Sequence, residues 1–126
     1  MDQNIKKAES SWIRTEGVSD GIERALVYVQ DNYQSTISVQ EVARHSSLSY
    51  HHLCRKFKKE TGRTVVELIN WLRISKAKDL LHSSPDPIHE IAKKVGFTST
   101  VQFHRTFKKL EGDTPMQYRK KIFGES

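Results

Sequence analysis

The segment "RKFKKETGRT" at positions 55–64 returns fifty residues later as "RTFKKLEGDT" at 105–114, with six of the ten letters in register. Any fold for this chain must therefore house one basic segment twice. The match extends upstream of each copy. Glu41-Val42-Ala43 answers Glu90-Ile91-Ala92 at an offset of 49, and one extra residue in the second turn brings the offset to 50. Each copy reads as a short helix, a tight turn, a longer basic helix, a glycine stop, and a threonine that opens the next helix.

Helical spacing runs along most of the chain. Residues 1–18 have no sustained period and read as a tail or linker, with partial order around Trp12 and Ile13. From Asp20, which reads as an N-cap with Glu23 three residues on, Ile22, Leu26, Val29 and Tyr33 recur at helical spacing. "SVQE" at 38–41 is a capping box, Ser49 caps the next helix, and "TVVE" at 64–67 is a second box. That second box opens the longest run, 65–82, with Leu68, Ile69, Leu72, Ala77, Leu80 and Leu81 as its apolar side. Pro85 and Pro87 break the chain, and Asp86-Pro87 reads as cap and first turn of the following helix. A helix over 99–111 and a short last one opened by "TPMQ" complete the series. No segment alternates at period two. The fold class predicted is all-α, with seven helices.

Two helices joined by a turn of three or four residues outline a helix-turn-helix. Ala43 and Ala92 suit the close crossing such a pair needs. Stepping ~100° per residue from Phe57 places Leu53 beside it, and His51, Cys54, Arg55 and Lys58 on the opposite flank with Lys59 at the edge. The same step from Phe107 places Phe103 beside it and Val101, His104, Arg105 and Lys108 opposite, with Lys109 at the edge. Each second helix is apolar on one side and basic on the other. Arginine can take guanine O6 and N7 together, histidine can donate or accept, and valine can pack on a thymine methyl. Lysine suits phosphate. Phe57, Phe107, Leu53, Phe103, Trp71 and Tyr118 read as core, since a single-strand binder would expose aromatics among its basic groups; Trp71 also fits an edge of the long helix. Lys56 and Lys78 read as plain surface.

Composition narrows the partners. With 126 residues, 36% hydrophobic and 29% charged, the chain is one compact unit or two very small ones sharing a core. Its formal charge of +6 favours polyanions, either nucleic acid or an anionic membrane surface. Cys54 is the only cysteine, so no internal disulfide forms. The N-terminus lacks a signal's apolar core, and no apolar run approaches the ~20 residues of a membrane span, so a soluble intracellular protein is expected. No nucleophile elbow, phosphate loop or paired-carboxylate pattern is present, so an enzyme is not expected. His51 and Cys54 stand three apart, but no third ligand follows at a metal-site spacing, and neither metal nor cofactor is expected.

The stretches "ISVQEVARHSSLSYHHLCRKFKKETGRT", "LRISKAKDLL" and "IHEIAKKVGFTSTVQFHRTFKKLEGDTPMQYR" resemble the DNA-binding domain of the AraC/XylS family of bacterial transcription regulators. The resemblance covers about 22–119. It implies a homeodomain-like arrangement of two helix-turn-helix units, 19–63 and 84–123, joined by a linker helix over 64–83, with 1–18 as tail. The implied recognition helices are 49–60 and 99–111, entering successive major grooves. Base-reading positions carry over to Tyr50, His51, Cys54 and Arg55, and to Thr100, Val101, His104 and Arg105. Phosphate candidates are Ser49, Lys58, Lys59, Ser99, Gln102, Lys108 and Lys109. A linker of about 18 residues spans ~27 Å against ~34 Å for a DNA turn, which favours bent DNA if both units bind at once.

The function so implied is sequence-specific binding of double-stranded DNA and regulation of transcription, most often activation, in the bacterial cytoplasm at the nucleoid. RNA polymerase and an N-terminal effector or dimerisation domain are the further partners implied; no membrane is. The competing reading is a helical interaction module whose basic face meets an acidic protein partner or DNA without sequence preference.

Overall fold

The computed structural model describes residues 12–124. Among them are seven helices and no strand: α1 (Asp20–Asn32), α2 (Val39–His45), α3 (Tyr50–Thr61), α4 (Val65–Ser83), α5 (Ile88–Lys94), α6 (Thr100–Glu111) and α7 (Pro115–Ile122). The all-α reading holds. The part of the predicted tail before residue 12 lies outside the described residues.

The chain divides into two units, one of residues 12–33 and 37–72, the other of 34–36 and 73–124. Each has its own apolar cluster. In the first, α1 contributes Ile22, Leu26 and Val29, α2 Val42, and α3 Leu53 and Phe57, all fully buried. In the second, Phe103 and Phe107 of α6 pack with Ile91 and Val95 around Phe97. Helix α4 supplies both clusters, from different stripes. Val65, Leu68, Ile69 and Leu72 join the first cluster, and Ile74, Ala77 and Leu81 the second. The step from Leu72 to Ile74 is ~200° around the helix. The single apolar side predicted for this helix is therefore two stripes, one for each half.

Local caps explain where the helices start. Ser38 with Glu41 and Thr114 with Gln117 form reciprocal capping boxes. Thr64 and Glu67 do the same, with bonds of 2.8 and 3.0 Å. Two caps differ from expectation. The N-cap of α1 is Ser19, not Asp20, and the Ser19 side chain makes no cap bond. Helix α5 starts at Ile88 after Pro87, and Asp86 caps nothing. Its carboxylate instead pairs with Lys94, which holds it ionised below the ordinary aspartate range. The carboxylate pairs with Lys94, the last residue of this seven-residue helix, rather than accepting from the helix's first backbone N–H groups.

Residues 12–18 are packed on the first unit. Ile13 and Thr15 are buried, and Trp12 stacks on Trp71 at 5.5 Å with Arg63 over its ring. Arg14 N donates to Thr61 O at 2.9 Å, and Arg63 Nε donates to Trp12 O at 2.6 Å. This strap ties the residues ahead of α1 to the end of α3.

Candidate nucleic-acid interface

The turn that positions each basic helix is built the same way twice. In the first unit Leu48 N donates to Ala43 O at 3.0 Å, and Ser47 N to Arg44 O at 3.2 Å. In the second Phe97 N donates to Ala92 O at 3.0 Å, and Gly96 N to Lys93 O at 3.1 Å. Ala43 and Ala92 are both buried, as the crossing requires. The turn needs one residue in the left-handed region. Gly96 sits there at φ 112°, while the first unit places Ser47 at φ 58° and carries the strain of a side chain. Thr98 is the additional residue of the second turn.

Helices α3 and α6 then match residue by residue. Ser49 and Ser99 cap them, each hydroxyl oxygen accepting from the backbone three residues on, His52 N and Gln102 N, at 3.2 Å. An accepting hydroxyl keeps its own hydrogen to donate. Both helices close on a left-handed glycine, Gly62 or Gly112, whose N–H donates to Lys58 O or Lys108 O. Between these ends the pattern of exposure is identical from 49 to 59 and from 99 to 109. Leu53, Phe57, Phe103 and Phe107 are buried. Tyr50, His51, Arg55, Lys58 and Lys59 are exposed, as are Thr100, Val101, Gln102, Arg105, Lys108 and Lys109. Cys54 and His104 are half-buried at the flank of each face. Every candidate therefore lies on the exposed or flanking side of its own helix.

Val101 has the most unusual placement. It is 67% exposed, the most open of the large apolar residues described. A single exposed valine is ordinary, but this one sits among hydrogen-bonding side chains on a basic face. Tyr50 is also exposed, with the ring of His51 edge-on at 5.3 Å. His104 Nδ1 lies 2.9 Å from Thr100 O, one turn back. Lys58 Nζ donates to Gly62 O at 3.2 Å, a weak tether for an exposed ammonium.

The acids at the ends of these helices are engaged elsewhere. Glu60 accepts from Ser19 N at 2.7 Å and from Ser19 Oγ at 3.0 Å. The backbone bond from Ser19 is the main reason its carboxyl is held below the ordinary glutamate range. Glu111 pairs with Lys78 at 3.0 Å, so Lys78, expected to be plain surface, is an ion-pair partner that also lies over the Tyr118 ring. With both acids drawn off, the side-chain charges on each outer face are all positive. Sequence patterns missed Glu60, because Ser19 is 41 residues away and no local spacing signals the pair. They also missed Arg119, which donates to the carbonyl oxygens of Leu81, Asp86 and Ser84 and fixes the loop before α5. His52 stands where Gln102 does on the other helix and is equally exposed.

Among the described residues no cluster of three metal-ligating side chains occurs, and no helix is long and apolar enough to cross a membrane.

A family profile described as a helix-turn-helix domain matches residues 42–121. The multiple antibiotic resistance protein MarA of Salmonella typhimurium is 35% identical over 106 residues, covering 83% of this chain and 84% of MarA. An uncharacterized HTH-type transcriptional regulator of Escherichia coli is 31% identical over 97 residues, covering 77% of this chain and 34% of the regulator. The chain thus spans most of one curated relative and about a third of another. The C-terminal domain of AraT, a response regulator from Geobacillus stearothermophilus, superposes with a TM-score of 0.80 at 34% identity, covering 84% of this chain and 88% of that one. The DNA-binding domain of AdpA, a global transcriptional factor solved with a target DNA, superposes with a TM-score of 0.79 at 24% identity, covering 84% and 96%, which shows a shared fold.

Proposed function

The chain belongs to the AraC/XylS family of helix-turn-helix proteins, and from that premise we propose that it regulates transcription by reading double-stranded DNA with both α3 and α6. The observation that carries this is the identical exposure of residues 49–59 and 99–109, which offers Arg55 and Arg105 outward at equivalent places. Each arginine has the fork geometry to take guanine O6 and N7 together. His51, Cys54 and Tyr50 surround the first, and Thr100, Val101 and His104 the second. Val101 supplies an apolar contact for a thymine methyl, the use its exposure favours.

Lys59 and Lys109, with Lys58 and Lys108, hold phosphates at the rear of each helix. Ser49, Ser99 and Gln102 do so at the front, where helix N-termini favour anions. Four phosphates neutralised by lysine would contribute about −3.6 to the slope of log affinity against log salt. The reading contains no catalytic step and no cofactor. It places the protein with bacterial DNA in the cytoplasm, with RNA polymerase and any effector domain as further partners.

The test is selection from a pool of random duplexes at about physiological salt. The expected motif is asymmetric, with two halves about 10 base pairs apart. Arg55→Ala and Arg105→Ala should each weaken binding by ~1–3 kcal/mol and relax one base position, in different halves. Absence of any enriched motif, or variants that bind every sequence as the parent does, would refute the reading.

A further inference from the structure

The imidazole of His104 is held in one tautomer. Its Nδ1 faces the carbonyl oxygen of Thr100 at 2.9 Å. A carbonyl oxygen only accepts, so Nδ1 carries the hydrogen, and the neutral ring has its lone pair on Nε2. The opposite tautomer would forfeit that bond and set two lone pairs against each other, a disadvantage of roughly three- to tenfold in population. Among the described residues no group bonds Nε2, and the one buried side-chain polar atom without a partner is Gln30 Oε1, so Nε2 is not sealed from the surface. The rings of His104 and Phe103 meet at 5.9 Å and 80°. His104 sits beside Arg105 on the helix, where the first unit has the weakly bonding Cys54 beside Arg55.

Resting on the DNA-binding reading above, we propose that His104 is a specificity-determining acceptor. Its Nε2 accepts a hydrogen bond from an exocyclic amino group in the major groove, adenine N6 or cytosine N4. Guanine or thymine in that place on the same strand presents O6, N7 or O4, all acceptors, and is rejected. The discrimination comes from the backbone of α6 itself, because the Thr100 carbonyl decides which ring nitrogen is left to read.

Two measurements test this. Long-range ¹H–¹⁵N spectra of the free protein with a neutral imidazole should show hydrogen on Nδ1; hydrogen on Nε2 overturns the proposal whatever the DNA data. Duplex selection is then run with the parent, His104→Ala and His104→Lys, each confirmed folded by circular dichroism. The parent motif should contain a column in which, on one strand, adenine or cytosine exceeds guanine or thymine about three- to tenfold. His104→Ala should flatten that column alone. His104→Lys, which can only donate, should invert it. A motif unchanged by His104→Ala, or a column that His104→Lys leaves with the parent's preference, overturns the proposal and leaves the regulator reading standing. No motif from the parent, with the Nδ1 tautomer confirmed, sinks the DNA reading and the proposal with it.

Discussion

Replacing Glu60 by glutamine should loosen the first unit at neutral pH and do nothing at low pH. In the parent, the carboxylate at the end of α3 takes two bonds from Ser19, of 2.7 and 3.0 Å. Ser19 is the N-cap of α1 and makes no cap bond of its own, so Glu60 anchors the start of that helix from outside. Its backbone oxygen also accepts from Arg14 Nη1 at 2.9 Å, which fastens the strap. Glutamine keeps the shape and can still bond Ser19, but the bonds lose their charge. Charged partners contribute about 1.5–3 kcal/mol and neutral ones about 0.5–1.5, so Glu60→Gln should destabilise by about 1 kcal/mol at pH 7. The bond from Ser19 N, with further help from Lys56 and Lys59, depresses the folded pKa below the ordinary 4.5. A depressed carboxyl contributes stability above its unfolded pKa and loses it as pH falls through the folded value. The gap between parent and variant should thus be full well above pH 4.5 and shrink as pH falls through the lowered folded value. Glu67, depressed mainly by its bond from Thr64 N, titrates in both proteins and cancels in the difference. Urea denaturation followed by tryptophan fluorescence reads this unit, because both tryptophans, Trp12 and Trp71, stack within it. A gap of equal size at pH 3 and pH 7, or a variant as stable as the parent at pH 7, would refute the clip.

Three further outcomes follow from other contacts. Ser47→Gly should raise the urea midpoint of the first unit by an amount equivalent to ~0.5–1 kcal/mol, since glycine occupies φ 58° without a Cβ penalty; an unchanged or lower midpoint would show no strain there. Arg119→Lys should destabilise the second unit by about 2 kcal/mol in a calorimetric scan, because one ammonium cannot reach the three carbonyls that the guanidinium joins. Lys59→Ala and Lys109→Ala should weaken DNA binding evenly across sequences and each reduce the salt slope by about 0.9 in anisotropy titrations; a sequence-dependent loss would place these lysines on bases.

What the sequence makes legible follows the range of the interactions. Capping boxes, glycine stops and the burial of Phe57 and Phe107 act within one or two turns, and spacing alone exposes them. The site candidates could be placed on the exposed or flanking side of each helix because a 100° step and a buried phenylalanine determine the rest of the circle. Longer-range choices stay hidden. Ser19 rather than Asp20 caps α1 because Glu60, far along the chain, supplies the bond. Asp86 abandons its cap for Lys94, eight residues on. The strap at residues 12–18 looks like a tail because its order comes from Trp71, Thr61 and Arg63 rather than from any period of its own. Helix α4 reads as one apolar side when its apolar residues are pooled without Ile74; the ~200° step from Leu72 to Ile74 separates two stripes, and the partners show that each serves a different core.

The differences between the two copies are as informative as their agreement. Ser49 and Ser99, Arg55 and Arg105, Lys58 and Lys108, and Lys59 and Lys109 are the same residue at the same exposure. Caps and phosphate-type cations therefore repeat. The outward positions between them do not: Tyr50 faces Thr100 in the alignment, His51 faces Val101, and Cys54 faces His104. Folding places little demand on Tyr50, His51, Thr100 and Val101, which are exposed, so on the DNA-reading proposal their divergence reflects different bases. If these positions read bases as proposed, two copies with a common frame and unlike residues at them call for two unlike half-sites. A palindrome would waste one set of readers, and a perfect direct repeat would require His51 and Val101 to favour the same base. The retained arginine makes the expected motif specific: a guanine at the same place in each half, with different bases around it.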